Sequence, residues 1–405
     1  ESLDRDARDE LMVNIVDQLL EYGYTNKASD IHIEPYRESV EVRFRIDGVM
    51  HNVLKIPKDL HELILTRIKI LAKMRTDEHR AAQDGKLRFK VGKEPVDVRV
   101  SVVPIVEGEN IVMRLLSAKS RQFSLPGLGF SNNNLDKVKR AIKNPHGMVL
   151  VTGPTGSGKT TTLYAVLKIL NKSSIHVSTI EDPVEYDIEG VSQIQVNPKT
   201  NLTFAKGLRA LVRQDPDIIM VGEIRDSETA GIAINSALTG HLVLSTLHTN
   251  DAVTTLPRLI DMEVEPFLVA STVNVVIAQR LVRKICQSCR VSFKLNKEQK
   301  RSLEHQKHIS ELIKKVKNKE ISQINFYKGT GCKVCGNTGY LGRAGLFEVL
   351  EMTDEVRELV NSRASSDELN KKAREQGMQS MLEDGLEKVL NGETTLEEVL
   401  RVAKD

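Results

Sequence analysis

The sequence contains no tryptophan, and aromatic residues make up only 4% of its 405 residues. Stacking platforms for nucleobases are therefore scarce, which disfavours a single-strand nucleic-acid binder. Lys and Arg number 58 against 55 Asp and Glu, so net charge favours neither nucleic acid nor a membrane surface as partner. Apolar runs such as residues 273–278 are far too short to span a bilayer.

No basic–apolar–small signal opens the chain, so export is not indicated. The sequence begins with Glu1 rather than Met, and we expect an upstream segment that carries a partner-docking domain. Cysteine is also rare, with four residues arranged as two Cys-x-x-Cys pairs. In a chain without an export signal, such pairs favour a metal site over disulfides.

Residues 153–160 read Gly-Pro-Thr-Gly-Ser-Gly-Lys-Thr and stand between a short apolar run and a helical pattern. A strand, a glycine loop, Lys-Thr and a helix in this order predict a phosphate-binding loop rather than a turn that binds nothing. We predict that Lys159 contacts the β- and γ-phosphates of ATP and that the Thr160 hydroxyl coordinates Mg²⁺. The predicted nucleotide contacts are Gly153, Pro154, Thr155, Gly156, Ser157, Gly158, Lys159, Thr160 and Thr161.

Three later apolar segments also end in polar residues. Strands that alternate with helices predict an α/β domain with a parallel sheet, whose ligands lie at the carboxyl ends of the strands. Glu181, Glu223 and His248 follow three such strands and are expected to converge on Lys159. The alternative is that the strand-end carboxylates only cap the following helices.

Each of these side chains has a predicted role in ATP hydrolysis. Glu223 holds the magnesium shell through water, and Glu181 orients or deprotonates the attacking water. His248 senses the γ-phosphate or bridges to a neighbouring subunit; the alternative is that it has no such role.

The chain before this loop predicts a helix or linker over 1–27, a small α+β domain over 28–118 and a polar interdomain linker over 119–134. Within the small domain, Arg99 and Arg114 interrupt apolar strand patterns. The usual interpretation of such arginines is a solvated sheet face with weak ion pairs. The linker permits rigid-body motion between domains.

The ATPase domain is predicted over 135–283, a four-cysteine subdomain over 284–347 and a helical C-terminal subdomain over 348–405. Four thiolates predict a structural zinc site, with redox thiols as the alternative. Its predicted ligands are Cys286, Cys289, Cys332 and Cys335. The basic segment 294–320 inside this subdomain favours a solvated helical insertion that packs on its neighbour; the alternative is a patch for anionic lipid or an acidic membrane partner.

Several segments resemble motifs of the secretion ATPases, most closely the branch that powers type II secretion and type IV pilus assembly. Four resemble the Walker A, Asp-box, Walker B and His-box motifs, in this order: 153–160, 180–185, 221–226 and 244–250. Others resemble that branch's second N-terminal domain: 29–34, 43–48 and 83–85. The paired cysteines resemble its metal-binding subdomain and favour assembly or secretion over pilus retraction.

This resemblance implies a homo-hexameric ring of RecA-like ATPase domains with a PAS-like small domain. By motif position, Arg99 and Arg114 match arginines that reach the phosphates from the small domain, and Arg209 and Arg213 match a second pair. The implied cofactors are ATP, Mg²⁺ and Zn²⁺.

The implied partners are an inner-membrane platform protein and a membrane-anchored docking protein, and the implied location is the cytoplasmic face of the inner membrane. The alternative is a DNA-translocating hexamer of the same superfamily, which the balanced charge and scarce aromatics disfavour.

Overall fold

The computed structural model describes residues 5–116, 124–317 and 321–403. The chain divides into two compact units, a smaller unit Glu1–Gln122 and a larger unit Phe123–Asp405. Within the described ranges, no helix combines the length and the apolar composition that crossing a bilayer requires.

The smaller unit is a six-stranded antiparallel sheet with two helices, which agrees with the predicted α+β class. The strand order is β3-β2-β1-β6-β5-β4. Its helices and strands are α1 (Arg5–Thr25), β1 (Ala28–Pro35), β2 (Ser39–Ile46), β3 (Val49–Pro57), α2 (His61–Leu71), β4 (Gln83–Val91), β5 (Glu94–Ile105) and β6 (Gly108–Leu116).

Strict alternation gives this sheet one apolar face and one charged face. In β5, Val98 and Val100 are buried in the core, whereas Arg99 between them lies on the opposite face. A hairpin turn at Asp47 and Gly48 joins β2 to β3, and both residues have positive φ, 49° and 87°. These dihedrals match the right-handed twist of the two strands.

The larger unit is built on a seven-stranded sheet with the order β15-β12-β7-β11-β10-β8-β9. All neighbours from β12 to β9 are parallel, and only the edge strand β15 runs antiparallel. Its sheet strands are β7 (Gly147–Thr152), β8 (Val177–Glu181), β9 (Val191–Gln195), β10 (Ile218–Val221), β11 (Leu242–Leu247), β12 (Val273–Ile285) and β15 (Tyr340–Glu351). The predicted parallel sheet is confirmed.

Helices follow most of these strands and cover both faces of the sheet. They are α3 (Asn132–Ala141), α4 (Lys159–Leu170), α5 (Phe204–Val212), α6 (Ser227–Leu238), α7 (Thr255–Asp261), α8 (Pro266–Thr272), α9 (Lys297–His305), α10 (Lys307–Lys317), α11 (Asp354–Asn361), α12 (Ser366–Glu375), α13 (Met381–Leu390) and α14 (Leu396–Val402). A separate antiparallel pair consists of β13 (Arg290–Phe293) and β14 (Phe326–Gly329).

Two of the predicted boundaries fall inside long strands. The boundary at 283/284 lies within β12, and the boundary at 347/348 lies within β15. These strands pair from Val275 to Ile285, and one apolar core joins the seven-stranded sheet to the C-terminal helices. The physical reason is that each segment alone leaves an apolar face that only the others cover.

The predicted linker 119–134 is only partly described, because residues 117–123 lie outside the described ranges. Residues 124–134 of this segment pack as part of the larger unit. Leu125 is fully buried, and the ring of Phe130 stacks on Phe347 with centroids 3.6 Å apart. The helix α3 begins at Asn132, inside the predicted linker.

The basic insertion forms two helices, α9 and α10, between β13 and β14. Ile309, Leu312 and Ile313 lie in the same apolar core as the C-terminal helices. Their burial supports the favoured interpretation, in which this stripe packs on a neighbouring element of the chain.

Glu398 joins the last helix to β12. The hydroxyl of Thr395 accepts a hydrogen bond from the backbone N–H of Glu398 at 3.4 Å. The carboxylate of Glu398 forms ion pairs with Arg283 and Arg401, at 2.7 and 2.8 Å. Burial alone would raise the pKa of Glu398, yet the hydrogen bonds from the two arginines outweigh it and lower the pKa to about 2.

We expect Glu398→Gln to lower the free energy of unfolding by about 2–3 kcal/mol near neutral pH. Because the folded pKa lies below the ordinary 4.5, the carboxylate stabilises the protein above that pH and loses this contribution as the pH falls toward 2. Urea titrations of variant and wild type should therefore converge in acid.

The matched control is Glu397→Gln, which removes the neighbouring exposed carboxylate of the same helix. It should change stability by less than about 0.5 kcal/mol. Equal effects of the two substitutions at neutral pH would contradict the assigned ion pairs.

Candidate active site

The loop that follows β7 is held at its base by three strands. All six residues of β7 are buried between β11 and β12. At its end, the hydroxyl of Thr152 accepts the backbone N–H of Thr249 at 2.9 Å, which ties the loop to the end of β11. The start of the loop is thus fixed by the sheet.

The glycines of the loop adopt dihedrals that other residues avoid. Gly153 has φ of 140°, and a Cβ placed there would lie 2.4 Å from the carbonyl oxygen of Gln279. Gly158, with φ of 89°, is the residue from which α4 begins. The loop therefore turns tightly into a helix N-terminus, whose first N–H groups have no partners within the helix.

Gln279 is a support residue that sequence analysis missed. It is 2% exposed, lies on β12 beneath the loop, and accepts a hydrogen bond from the Thr162 hydroxyl at 2.7 Å. The available signal was a glutamine directly after the apolar run 275–278.

Lys159 lies over the loop and donates to the carbonyl oxygens of Gly153 and Pro154 at 2.7 and 3.1 Å. Burial lowers the pKa of Lys159, and the nearby carboxylate of Glu223 partly opposes this shift. The exposed Thr160, at the first turn of α4, has a hydroxyl without a hydrogen-bond partner in the described part of the chain.

A second polar atom at the loop fits an oxygen-rich ligand. The Ser157 hydroxyl is buried and lacks a hydrogen-bond partner within the described residues. Space is open above Gly156, since nothing lies within 4 Å of a Cβ placed there. A phosphate group supplies acceptors for such donors.

The structure brings Glu223 and His248 together at the edge of the sheet that carries the loop. The Nε2 atom of His248 lies 3.2 Å from Glu223, and Arg225 contacts the other carboxylate oxygen at 2.6 Å. The side chain of Glu223 is 12% exposed, whereas those of Arg225 and His248 are 65% and 47% exposed. Glu223 is thus held by two side chains that solvent reaches.

Glu181 lies at the same edge but in different surroundings. It is 2% exposed, and its carboxylate accepts hydrogen bonds from the hydroxyl of Tyr164, from Thr179 at 2.6 Å and from Gln193 at 3.1 Å. Burial, together with the carboxylate, raises the pKa of Tyr164. Both oxygens accept hydrogen bonds and are shielded from solvent, so Glu181 anchors α4 to β8. Its role in activating water stays a prediction.

The second predicted arginine pair lies on and directly after α5. Arg209 pairs with Glu228 at 2.6 Å. Arg213 follows the last residue of α5 and precedes the start of β10, so it lies toward the amino edge of the parallel sheet. The loop lies at the carboxyl edge, which leaves Arg213 on the side away from Lys159 of its own chain.

Arg99 and Arg114 lie opposite each other on β5 and β6 of the smaller unit. Arg114 is paired through Nε with Asp30 at 2.8 Å, and its side chain remains 59% exposed. Both arginines occupy the charged face of that sheet, as their alternation predicted.

The four cysteines form one cluster at the far end of β12 and β15. Their sulfur atoms all lie within 4.8 Å of one another, with three pairs at 3.7–3.9 Å. A tetrahedral zinc site with Zn–S bonds of about 2.3 Å requires sulfur separations of about 3.8 Å.

The backbone also supports thiolates in this cluster. Burial opposes ionisation of Cys335, but N–H groups of Cys332 and Gly339 donate to its sulfur and lower its pKa to about 6. The cluster therefore has the composition and spacing of a metal site.

A parallel sheet, a glycine loop before a helix and converging strand-end side chains define a P-loop nucleotide-binding protein. A family model described as "Type II/IV secretion system protein" matches residues 5–401. The chain belongs to this family, which confirms the resemblance that the four motifs carried.

Named relatives narrow the function. The type II secretion system ATPase E of Vibrio cholerae is 45% identical over 394 residues, 97% of this chain and 76% of that protein. The type IV pilus assembly ATPase PilB of Myxococcus xanthus is 46% identical over 97% of this chain and 68% of its own length. These ATPases confirm the predicted class and disfavour the DNA-translocating alternative.

Solved structures agree with the fold. The pilus retraction motor PilT with bound ADP has a TM-score of 0.64 at 26% identity, over 96% of each chain. The Legionella pneumophila ATPase DotB has a TM-score of 0.68 at 22% identity and covers 96% of this chain and 95% of its own. At that identity, DotB supports the fold alone.

We expect Tyr164→Phe to lower the free energy of unfolding by about 1–3 kcal/mol, because the buried Glu181 carboxylate loses a donor. Thermal denaturation of the purified chain measures this effect. Tyr327→Phe is the control in the same unit: the Tyr327 hydroxyl has no hydrogen-bond partner in the described ranges, and the ring that lies under Arg290 is kept. Equal stability of the two variants would argue against Glu181 as an anchor.

Proposed function

We propose that this chain is an ATP-driven mechanical motor for type II protein secretion or type IV pilus assembly. The convergence of Lys159, Glu223 and His248 at one sheet edge carries the proposal, together with the named relatives. Hydrolysis changes the arrangement of the smaller unit relative to the ATPase domain, and the motion performs the work.

The larger unit binds the triphosphate and its metal. Lys159 leaves its two loop carbonyls for the β- and γ-phosphates, and the Thr160 hydroxyl is free to hold Mg²⁺. Glu223 would hold the magnesium shell through water, and Glu181 keeps the predicted role of orienting the attacking water. Glu223 is the more accessible of the two carboxylates and is a second candidate for that role. His248 reports the state of the γ-phosphate through its contact with Glu223.

Arginines neutralise the charge that spreads over the transferring phosphoryl group. Arg99 and Arg114 do so from the smaller unit, because a guanidinium stays charged and its fork matches phosphate oxygens. Arg209 and Arg213 form a second set. Arg213 lies between α5 and β10, toward the amino edge of the sheet, and we assign it to a neighbouring subunit of a homo-hexameric ring.

The cysteine cluster holds a structural Zn²⁺. Four sulfur ligands close the coordination sphere, so the metal stabilises the junction of β12 and β15 rather than taking part in hydrolysis. The sulfur separations of 3.7–3.9 Å support this assignment.

The motor works at the cytoplasmic face of the inner membrane. It passes its motion to a membrane platform protein and is held there by a membrane-anchored docking protein, with any contact to anionic lipid being peripheral. Stimulation of turnover by DNA, rather than by membrane partners, would favour a DNA-translocating hexamer instead.

We expect Arg114→Ala or Arg99→Ala to fold normally and to lose most ATPase activity. An arginine that stabilises the transition state contributes about 10³–10⁵ to kcat, or about 4–7 kcal/mol of barrier. Steady-state phosphate release by the assembled chain measures the loss.

Arg88→Ala provides the control for this experiment. Arg88 lies on the same charged face, paired with Asp97 at 2.5 Å, and is 68% exposed. It should keep turnover within about twofold, as surface substitutions do. Turnover of Arg114→Ala and Arg99→Ala at the level of Arg88→Ala would contradict the role assigned to them.

We expect one zinc ion per chain by elemental analysis, and none after Cys332→Ser and Cys335→Ser together. A structural zinc site contributes roughly 10–16 kcal/mol of apparent binding energy, so a strong chelator should lower the thermal midpoint of the larger unit. Protein that lacks stoichiometric zinc and unfolds identically with chelator would refute the site.

A further inference from the structure

We infer that Asp30 is a positioning residue that presents Arg114 to the nucleotide, an inference that rests on the proposed role of Arg114. Asp30 lies on β1, directly across the strand pair from Arg114 on β6. It is only 4% exposed, although it belongs to the charged face of the sheet. A carboxylate buried to this extent requires compensation by opposite charge and hydrogen bonds.

The contacts of Asp30 are divided between its two oxygens. Oδ1 accepts from Nε of Arg114 at 2.8 Å. Oδ2 accepts from the Ser29 hydroxyl at 2.8 Å and lies 3.8 Å from Nε of Arg45. A β-bulge between Ala28 and Asp30 sets this local geometry.

The choice of guanidinium atom is informative. Asp30 binds Nε, the atom nearest the aliphatic stem, and the terminal nitrogens of Arg114 have no partner in the described residues. The stem is therefore held while the outer fork stays open. A bidentate grip on phosphate needs a planar fork with a fixed stem.

The neighbouring charges explain why such an anchor is needed. Across adjacent strands, Lys86, Arg99 and Arg114 lie in register, so three cations occupy one row. Like charges directly opposite each other repel, and this repulsion displaces an unanchored Arg114. Asp30, the next residue in the row, pulls Arg114 to one side and leaves the row able to attract an anion.

The test is a double-mutant cycle on kcat with Asp30→Ala and Arg114→Ala in the full chain. We expect Asp30→Ala to lower kcat about 10- to 100-fold, the usual cost of a misplaced group, with the KM for ATP nearly unchanged. In the Arg114→Ala background, Asp30→Ala should cost no further activity, because there is no arginine left to position.

Two further variants separate positioning from folding. Asp30→Asn keeps the shape of the side chain and one oxygen acceptor but removes the charge. It should retain more activity than Asp30→Ala. Glu34→Ala is the matched control: Glu34 lies on the same face of β1 and pairs with Arg43 at 2.5 Å. It should leave kcat within about twofold.

The outcomes distinguish the two claims. Wild-type turnover of Arg114→Ala would overturn the nucleotide role of Arg114 and the inference with it. The positioning role alone would be overturned by either of two results, given a reduced kcat for Arg114→Ala. One is a wild-type kcat for Asp30→Ala, and the other is a double variant in which the two reductions in kcat multiply.

Discussion

The larger unit depends on the burial of β7 between two parallel neighbours. Every residue of that strand is buried, and its backbone pairs with β11 on one side and β12 on the other. Parallel neighbours end at the same edge, so the loop after β7 lies beside the residues after β10 and β11. The glycine loop, Gln279 beneath it and Glu223 beside it all take their places from this one constraint.

Burial then assigns different work to two carboxylates at that edge. Glu181 is buried and accepts hydrogen bonds from three side chains, and the bond from Tyr164 holds α4 against β8. Glu223 is held by Arg225 and His248, whose side chains face solvent and are free to exchange partners. These exchangeable partners support the proposed role of Glu223 at the magnesium ion.

A long strand pair joins the ATPase sheet to the cysteine cluster. β12 supports the loop through Gln279, pairs with β15 and ends directly before Cys286. The helices after β15 return to the same core, and Glu398 fastens the last of them to Arg283 on β12. These segments are consequently parts of one folded unit, and the four cysteines lie at the end of the strands that carry the loop.

The local sequence pattern was enough to predict the α/β class, the parallel sheet, the glycine loop before a helix and the clustering of the four cysteines. Periodicity and residue spacing encode these features directly. Tertiary structure alone decided which carboxylate is enclosed, that Gln279 lies beneath the loop and that Asp30 holds Arg114. Those facts depend on partners distant in the chain, such as Tyr164 for Glu181 and Thr162 for Gln279. A sequence pattern reports a residue's own neighbours, whereas burial and hydrogen bonding depend on what the rest of the fold brings against it.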